Sequence, residues 1–142
     1  NMANIVPDSF KEELFEAVHN FSNPGGNVFR LALYSTVTAF TSTGTTAYTV
    51  TNEVSGTGYS AGGTTLSNLG VAVGQNISYV DFTDATFSTA TITASCALIY
   101  NTTQSSKAVV VLDFGGNKTS TNGDFTIQFP AANSTSAILR IS

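Results

Sequence analysis

Two hydrophobic periods divide the chain. The first is helical and confined to the N-terminus: Phe10, Leu14 and Val18 recur every four residues, and Phe15 widens the stripe. Ser9 ahead of Glu12 has the spacing of a capping box, and Glu12 and Glu13 fall near the positive end of the helix dipole. These signals predict one short α-helix within residues 8–20, starting at Ser9, with His19 near its negative pole. A helix of about three turns is marginal alone in water, so its stripe must pack on something. Phe10, Leu14, Phe15 and Val18 are therefore candidate interface residues. Either they close one end of their own domain, or they anchor it across a subunit boundary. Asn23-Pro24-Gly25-Gly26 then breaks the chain.

From residue 28 onward the period is two. Phe29, Leu31 and Leu33 alternate with Arg30, Ala32 and Tyr34, and a weaker strand is expected at Ala47–Thr51. Two short apolar runs between Gly70 and Phe82 flank Gly74-Gln75-Asn76, the pattern of a hairpin. Ile92, Ala94, Cys96, Leu98 and Tyr100 form an unbroken alternation that places all five on one face. Ala108, Val110, Leu112 and Phe114 alternate with Lys107, Val109, Val111 and Asp113, which predicts a central strand covered on both faces. Gly115-Gly116-Asn117 reads as the turn that ends it. Phe125, Ile127 and Phe129 form the next strand, and Ala137, Leu139 and Ile141 the last. Residues 35–46 and 52–68, rich in hydroxyls and glycine, read as mobile loops.

Seven or eight short strands with no repeat and no linker make residues 1–142 a single β domain. The expected class is mainly β: an antiparallel β-sandwich over residues 28–142, immunoglobulin-like or jelly-roll, with one short N-terminal α-helix.

Composition sharpens this reading. Hydrophobic residues at 42% supply a core, while charged residues at 10% fall far below the usual quarter. The polar surface must come from hydroxyls: 22 Thr and 16 Ser, 38 residues of 142. Thr favours strands because its branched Cβ fits a pleated surface. Net charge is 5 − 9 = −4, and the cations are scattered at Lys11, Arg30, Lys107, Lys118 and Arg140. With no basic patch, neither nucleic acid nor an anionic membrane is an expected partner. No apolar run reaches the length of about 18 residues needed to span a bilayer as a helix. The N-terminus lacks the pattern of a signal peptide, and Asn1 ahead of Met2 reads as an addition to the natural start.

Candidate chemistry is sparse. The one cysteine, Cys96, has no partner for an internal disulfide and reads as a small buried hydrophobe. One Cys and one His make no zinc site. Asp81 and Asp84 are the only close acidic pair off the helix and supply too few oxygens for a calcium loop, so they read as a strand end with a capped turn. The loop glycines, Gly56 to Gly63, lack the lysine of a phosphate loop. No catalytic, cofactor-binding or metal-binding residue is assigned, and the expectation is a protein that is not an enzyme and takes no cofactor.

Several strings then stand together in one order. They are Phe29-Arg30-Leu31-Ala32-Leu33-Tyr34, Thr46-Ala47-Tyr48-Thr49-Val50-Thr51-Asn52-Glu53-Val54 and Gly56-Thr57-Gly58-Tyr59-Ser60-Ala61-Gly62-Gly63. Asp84-Ala85-Thr86-Phe87, Ala97-Leu98-Ile99-Tyr100-Asn101 and Val111-Leu112-Asp113-Phe114-Gly115-Gly116 follow. In this order the chain resembles, over residues 28–142, a widespread family of small structural proteins of tailed bacteriophages. The resemblance implies a non-enzymatic virion protein made in the host cytoplasm. A capsid decoration (cement) protein fits best, bound to the major capsid protein on the capsid exterior as a homo-oligomer, with a trimer favoured. The alternative is a head-fibre, tail or receptor-binding, glycan-adhesive virion component.

Overall fold

The computed structural model describes residues 4–141; Asn1 and Met2 lie outside them. Helix α1 spans Asp8–Phe15. The strands are β1 (Phe29–Tyr34), β2 (Thr64–Thr65), β3 (Asn68–Gly74), β4 (Ile77–Phe82), β5 (Ala85–Asn101), β6 (Lys107–Ile127) and β7 (Leu139–Ile141). They form two antiparallel sheets, one in the order β2-β1-β5-β6 and the other β3-β4-β7. The protein is thus mainly β with a sandwich arrangement and one short N-terminal helix, as the periodicity predicts. Among the described residues no helix is long and apolar enough to cross a membrane.

The core between the sheets is aromatic at one end. Phe21 stacks on Phe29 with ring centres 4.5 Å apart, Phe10 meets Phe21 edge-on, and Phe29, Phe82 and Phe129 continue the chain of rings. A second, smaller core lies on the opposite face of the larger sheet. Ala32, Tyr34, Cys96, Leu98, Tyr100 and Val111 are buried there beneath Phe40 and Tyr48. The segment 35–51, of which 35–46 is expected as a loop, supplies that cover through Phe40 and Tyr48. The weak strand expected at 47–51 is reduced to a single bridge between Ala47 and Lys107.

Three further expectations are corrected. The alternation from Ile92 to Tyr100 does not keep one face: Ile92 and Ala94 enter the main core, whereas Cys96, Leu98 and Tyr100 enter the second. The cause lies opposite, in β6. Ala94 pairs with Lys118 but Cys96 pairs with Asp113, so Phe114 to Asn117 stand against Ser95 alone. Gly115-Gly116-Asn117 is therefore a bulge inside one 21-residue strand, not a turn between two. Gly115 at φ 80° and Gly116 at φ 149° allow it. The strand reading of 107–114 is right about cover on both faces, but the centre of the sheet belongs to β5. Among the described residues only single bridges form beside the outer edge of β6, to Ile5 and Ala47.

The helix is shorter than expected and starts differently. Pro7 takes the N-cap position without a side-chain cap, and Asp8 N–H donates to Ser42 O at 2.8 Å. Ser9 Oγ donates to Thr45 O at 3.3 Å, so the Ser9/Glu12 capping box does not form. The helix ends at Phe15 because Ala17 adopts φ 60°. Ala17 N–H then donates to Leu14 O, and Val18 N–H to Glu13 O, a Schellman ending built without glycine.

Candidate functional site

The four candidate interface residues part company in the structure. Phe10 is 3% exposed and belongs to the main core. Leu14 is half-buried against that core and Val18 is half-buried. Phe15, one position past Leu14, is 96% exposed. The helix thus closes one end of its own sandwich with Phe10 and Leu14, and only Phe15 remains free for a partner. It is the last helical residue, flanked on the exposed surface by Glu12 and Glu16.

Beside this helix the sandwich is incompletely filled. A cleft of about 740 Å3 runs between α1 and the smaller sheet, with Leu14, Val71, Val80, Leu139 and Ile141 among its walls. The sheet register puts these strand residues on one face: Val71 pairs with Val80, which pairs with Leu139, and Ile141 pairs with Ser78. Val71 is 56% and Ile141 60% exposed, and Val73, two residues on from Val71, is 72% exposed. Lys11 also lines the cleft and is exposed, whereas the Arg140 side chain, between Leu139 and Ile141, turns to the other face of the sheet and donates to Ser134 O. Large apolar side chains left open like this mark a docking surface more often than a free one.

A second cleft, of about 500 Å3, opens at the bulge. Phe114, Phe125 and Phe129 line it together with Asp113, Lys118 and Asp124. By contrast, the solvent face of the lower half of the β5–β6 hairpin is a hydroxyl surface. Thr93 and Thr119 hydroxyls lie 2.8 Å apart across the strands, and those of Thr86 and Thr126 lie 3.1 Å apart.

Two polar clusters have no signal in the sequence. In the first, Glu53 Oε1 accepts from Tyr48 OH at 2.6 Å, while Oε2 accepts from Tyr59 OH at 2.5 Å and Gly62 N–H at 2.8 Å. Arg30 donates to the Gly62 and Gly63 carbonyls and to Thr65. This ties the glycine-rich loop down onto β1, so closely that a Cβ on Gly63 (φ 78°) would collide with the Leu31 carbonyl. Burial, reinforced by Glu53, pushes the Tyr34, Tyr48 and Tyr59 hydroxyls above the ordinary tyrosine range. They are donors locked into structure at neutral pH. In the second cluster, His19 lies beyond the helix end and is buried. Its Nε2 is 2.8 Å from Glu13 Oε1, and its Nδ1 is 3.0 Å from Asn101 Nδ2. With the ring hydrogen on Nε2, every contact has one donor and one acceptor. Asn101 Nδ2 also donates to Asn27, and Lys107 Nζ lies 3.6 Å from Glu13 Oε2. The cluster stitches α1 to the β5–β6 turn, a role that the helix-dipole reading of His19 misses.

Asp81 is buried, with Oδ1 accepting from Phe82 N–H and, among the described residues, no hydrogen-bond partner for Oδ2. Asp84 does lie at a strand end, but its Oδ1 accepts from Phe129 N–H, 45 residues on, so it ties the β4–β5 turn to the segment after β6 where the sequence predicts a local turn cap. Cys96 is buried, and burial pushes its thiol up to about 12. Among the described residues no group of three or more His, Cys, Asp or Glu is placed to hold a metal ion. No protein-family profile, curated protein or solved structure matches the chain.

Proposed function

We propose that the chain is a non-enzymatic structural component of a tailed-phage virion, a decoration protein bound to the major capsid protein on the outside of the coat shell. One structural observation supports docking on protein: Val71 and Ile141 stand largely exposed on the wall of the apolar cleft beside α1. The ordered strings from Phe29 to Gly116 support a virion as the setting. A surface rich in hydroxyls and poor in charge loses less on desolvation than a charged one, which suits repeated burial against other subunits. A closed homo-oligomer, a trimer in this reading, suits the threefold positions of a shell.

The glycan-adhesive alternative has one observation in its favour. The cleft at the bulge has three phenylalanines and two carboxylates, faces and acceptors on which a sugar can stack and hydrogen-bond. Cryo-electron microscopy of intact particles separates the two. Density for this domain over seams between coat subunits is the expected result. Density only at the tail tip, with binding of a host glycan by the purified chain, would replace the first reading with the second.

A further inference from the structure

We infer that Asn122 is a site of spontaneous covalent modification, an amide that the folded chain converts to a carboxylate through its own backbone. The inference does not rest on the reading above. The sequence supplies the reactive pair. Asn122-Gly123 is the one place where an asparagine precedes a glycine; every other asparagine precedes a residue that carries a side chain. Without a Cβ, Gly123 leaves its amide nitrogen open to the side chain before it. The structure supplies the freedom to react. Ala90 and Gly123 are a lone register pair in the β5–β6 ladder, with a register shift on either side. Asn122 is exposed and stands at φ 49°. Its N–H donates to a side chain, Thr91 Oγ1, at 3.0 Å. Among the described residues its own side chain meets one weak partner, the Thr91 hydroxyl, 3.4 Å from Oδ1. Asn133 is the contrast: its Oδ1 accepts from the N–H and the hydroxyl of both Thr135 and Ser136.

The chemistry needs only water. Hydroxide takes the Gly123 N–H proton, and the amide nitrogen attacks Asn122 Cγ. A Cγ–N bond forms, closing a five-membered imide, and the Cγ–Nδ2 bond breaks. Nδ2 leaves as ammonia, taking a proton from water. Water then adds to one of the two imide carbonyls and breaks one ring C–N bond. Opening at the side-chain carbonyl gives aspartate; opening at the main-chain carbonyl gives isoaspartate, with one more atom in the main chain of β6. Both products carry a carboxylate two residues from Asp124, and net charge moves from −4 to −5. On a hairpin half whose solvent face is lined with hydroxyls, the new charge raises the cost of burying that face.

The test holds the purified, folded chain in warm, mildly alkaline buffer and follows it by isoelectric focusing, intact mass and peptide mapping. The expected result is a growing species one charge more acidic than the starting protein. Its mass shift, that of amide to acid, should be confined to the peptide carrying Asn122. That peptide should divide into an aspartate form, which co-elutes with the same peptide of Asn122→Asp, and an isoaspartate form, which does not. Conversion should speed up as pH rises. Gly123→Ala should lose most of it with the melting curve unmoved, because Gly123 is not at positive φ and an added Cβ would meet only Thr121 O, at an ordinary 3.7 Å. A chain that stays unmodified until it is unfolded, conversion that begins at another asparagine, or Gly123→Ala converting as fast as the wild type would overturn the inference.

Discussion

Asp81 shows how one side chain sets a pH dependence. Its carboxyl is buried, half of it has no partner, and burial, with a smaller contribution from Asp84, raises its pKa above the ordinary value of 3.8. The folded state therefore holds this proton more tightly than the unfolded chain does. Its contribution to stability is present at acid pH and is lost as pH rises from about 3.8 through the folded value. Denaturant titrations of the wild type and Asp81→Asn check this. The stability difference, wild type minus variant, should fall between pH 4 and pH 7, whatever its constant offset. A difference that is flat or rises with pH would refute it. Cys96 makes a second prediction at this scale. A thiol pushed to about 12 inside the second core should not react with Ellman's reagent while the protein is native, and should titrate as one thiol after unfolding. Reaction of the native protein at the unfolded rate would show that segment 35–51 does not cover it.

At the scale of elements, the helix separates what packing needs from what it leaves over. Phe10→Ala removes a ring that touches His19 and Phe21 in the main core, so it should cost about 3–5 kcal/mol. Phe15→Ala should change stability by less than about 0.5 kcal/mol. Equal costs for the two, by denaturant titration, would mean that the helix is turned differently. The Schellman ending offers a gain. Ala17 stands at φ 60°, a conformation that costs an L-residue roughly 1–2 kcal/mol, so Ala17→Gly should raise stability by about 0.5–1 kcal/mol after its entropic cost. Where the sequence carries a local signal, the element is legible. The alternation marks β1 to its ends, and the β3–β4 hairpin turns through Gln75 and Asn76, both at positive φ as its two-residue loop requires. What stays hidden is non-local. No residue between Pro7 and Val18 announces that loop carbonyls will cap the helix or that an alanine will end it. The two glycines before Asn117 look alike in a turn and in a bulge, and only the unequal lengths of β5 and β6 decide between them. The exposed apolar residues are legible one at a time. The meeting of Val71 and Ile141 at one cleft is not, because β3, β7 and α1 are far apart along the chain.

At the scale of the whole molecule, the proposed role makes a prediction about particles rather than about the domain. A protein that binds assembled coat subunits and not free ones shifts the equilibrium towards the assembled shell by RT ln(1 + [L]/Kd) per site, about 2.7 kcal/mol at a hundredfold excess over Kd. The effect is repeated over every site on the lattice, while the shell's own contacts stay intact. Particles made without the protein should therefore assemble with normal geometry and rupture at lower temperature. Adding back the purified chain should restore the lost stability in a concentration-dependent way. Rupture curves by light scattering or dye entry to the packaged genome give the reading. Shells equally stable with and without the protein, together with lost adsorption to the host, would assign the domain to the tail and make the aromatic cleft at the bulge its working surface.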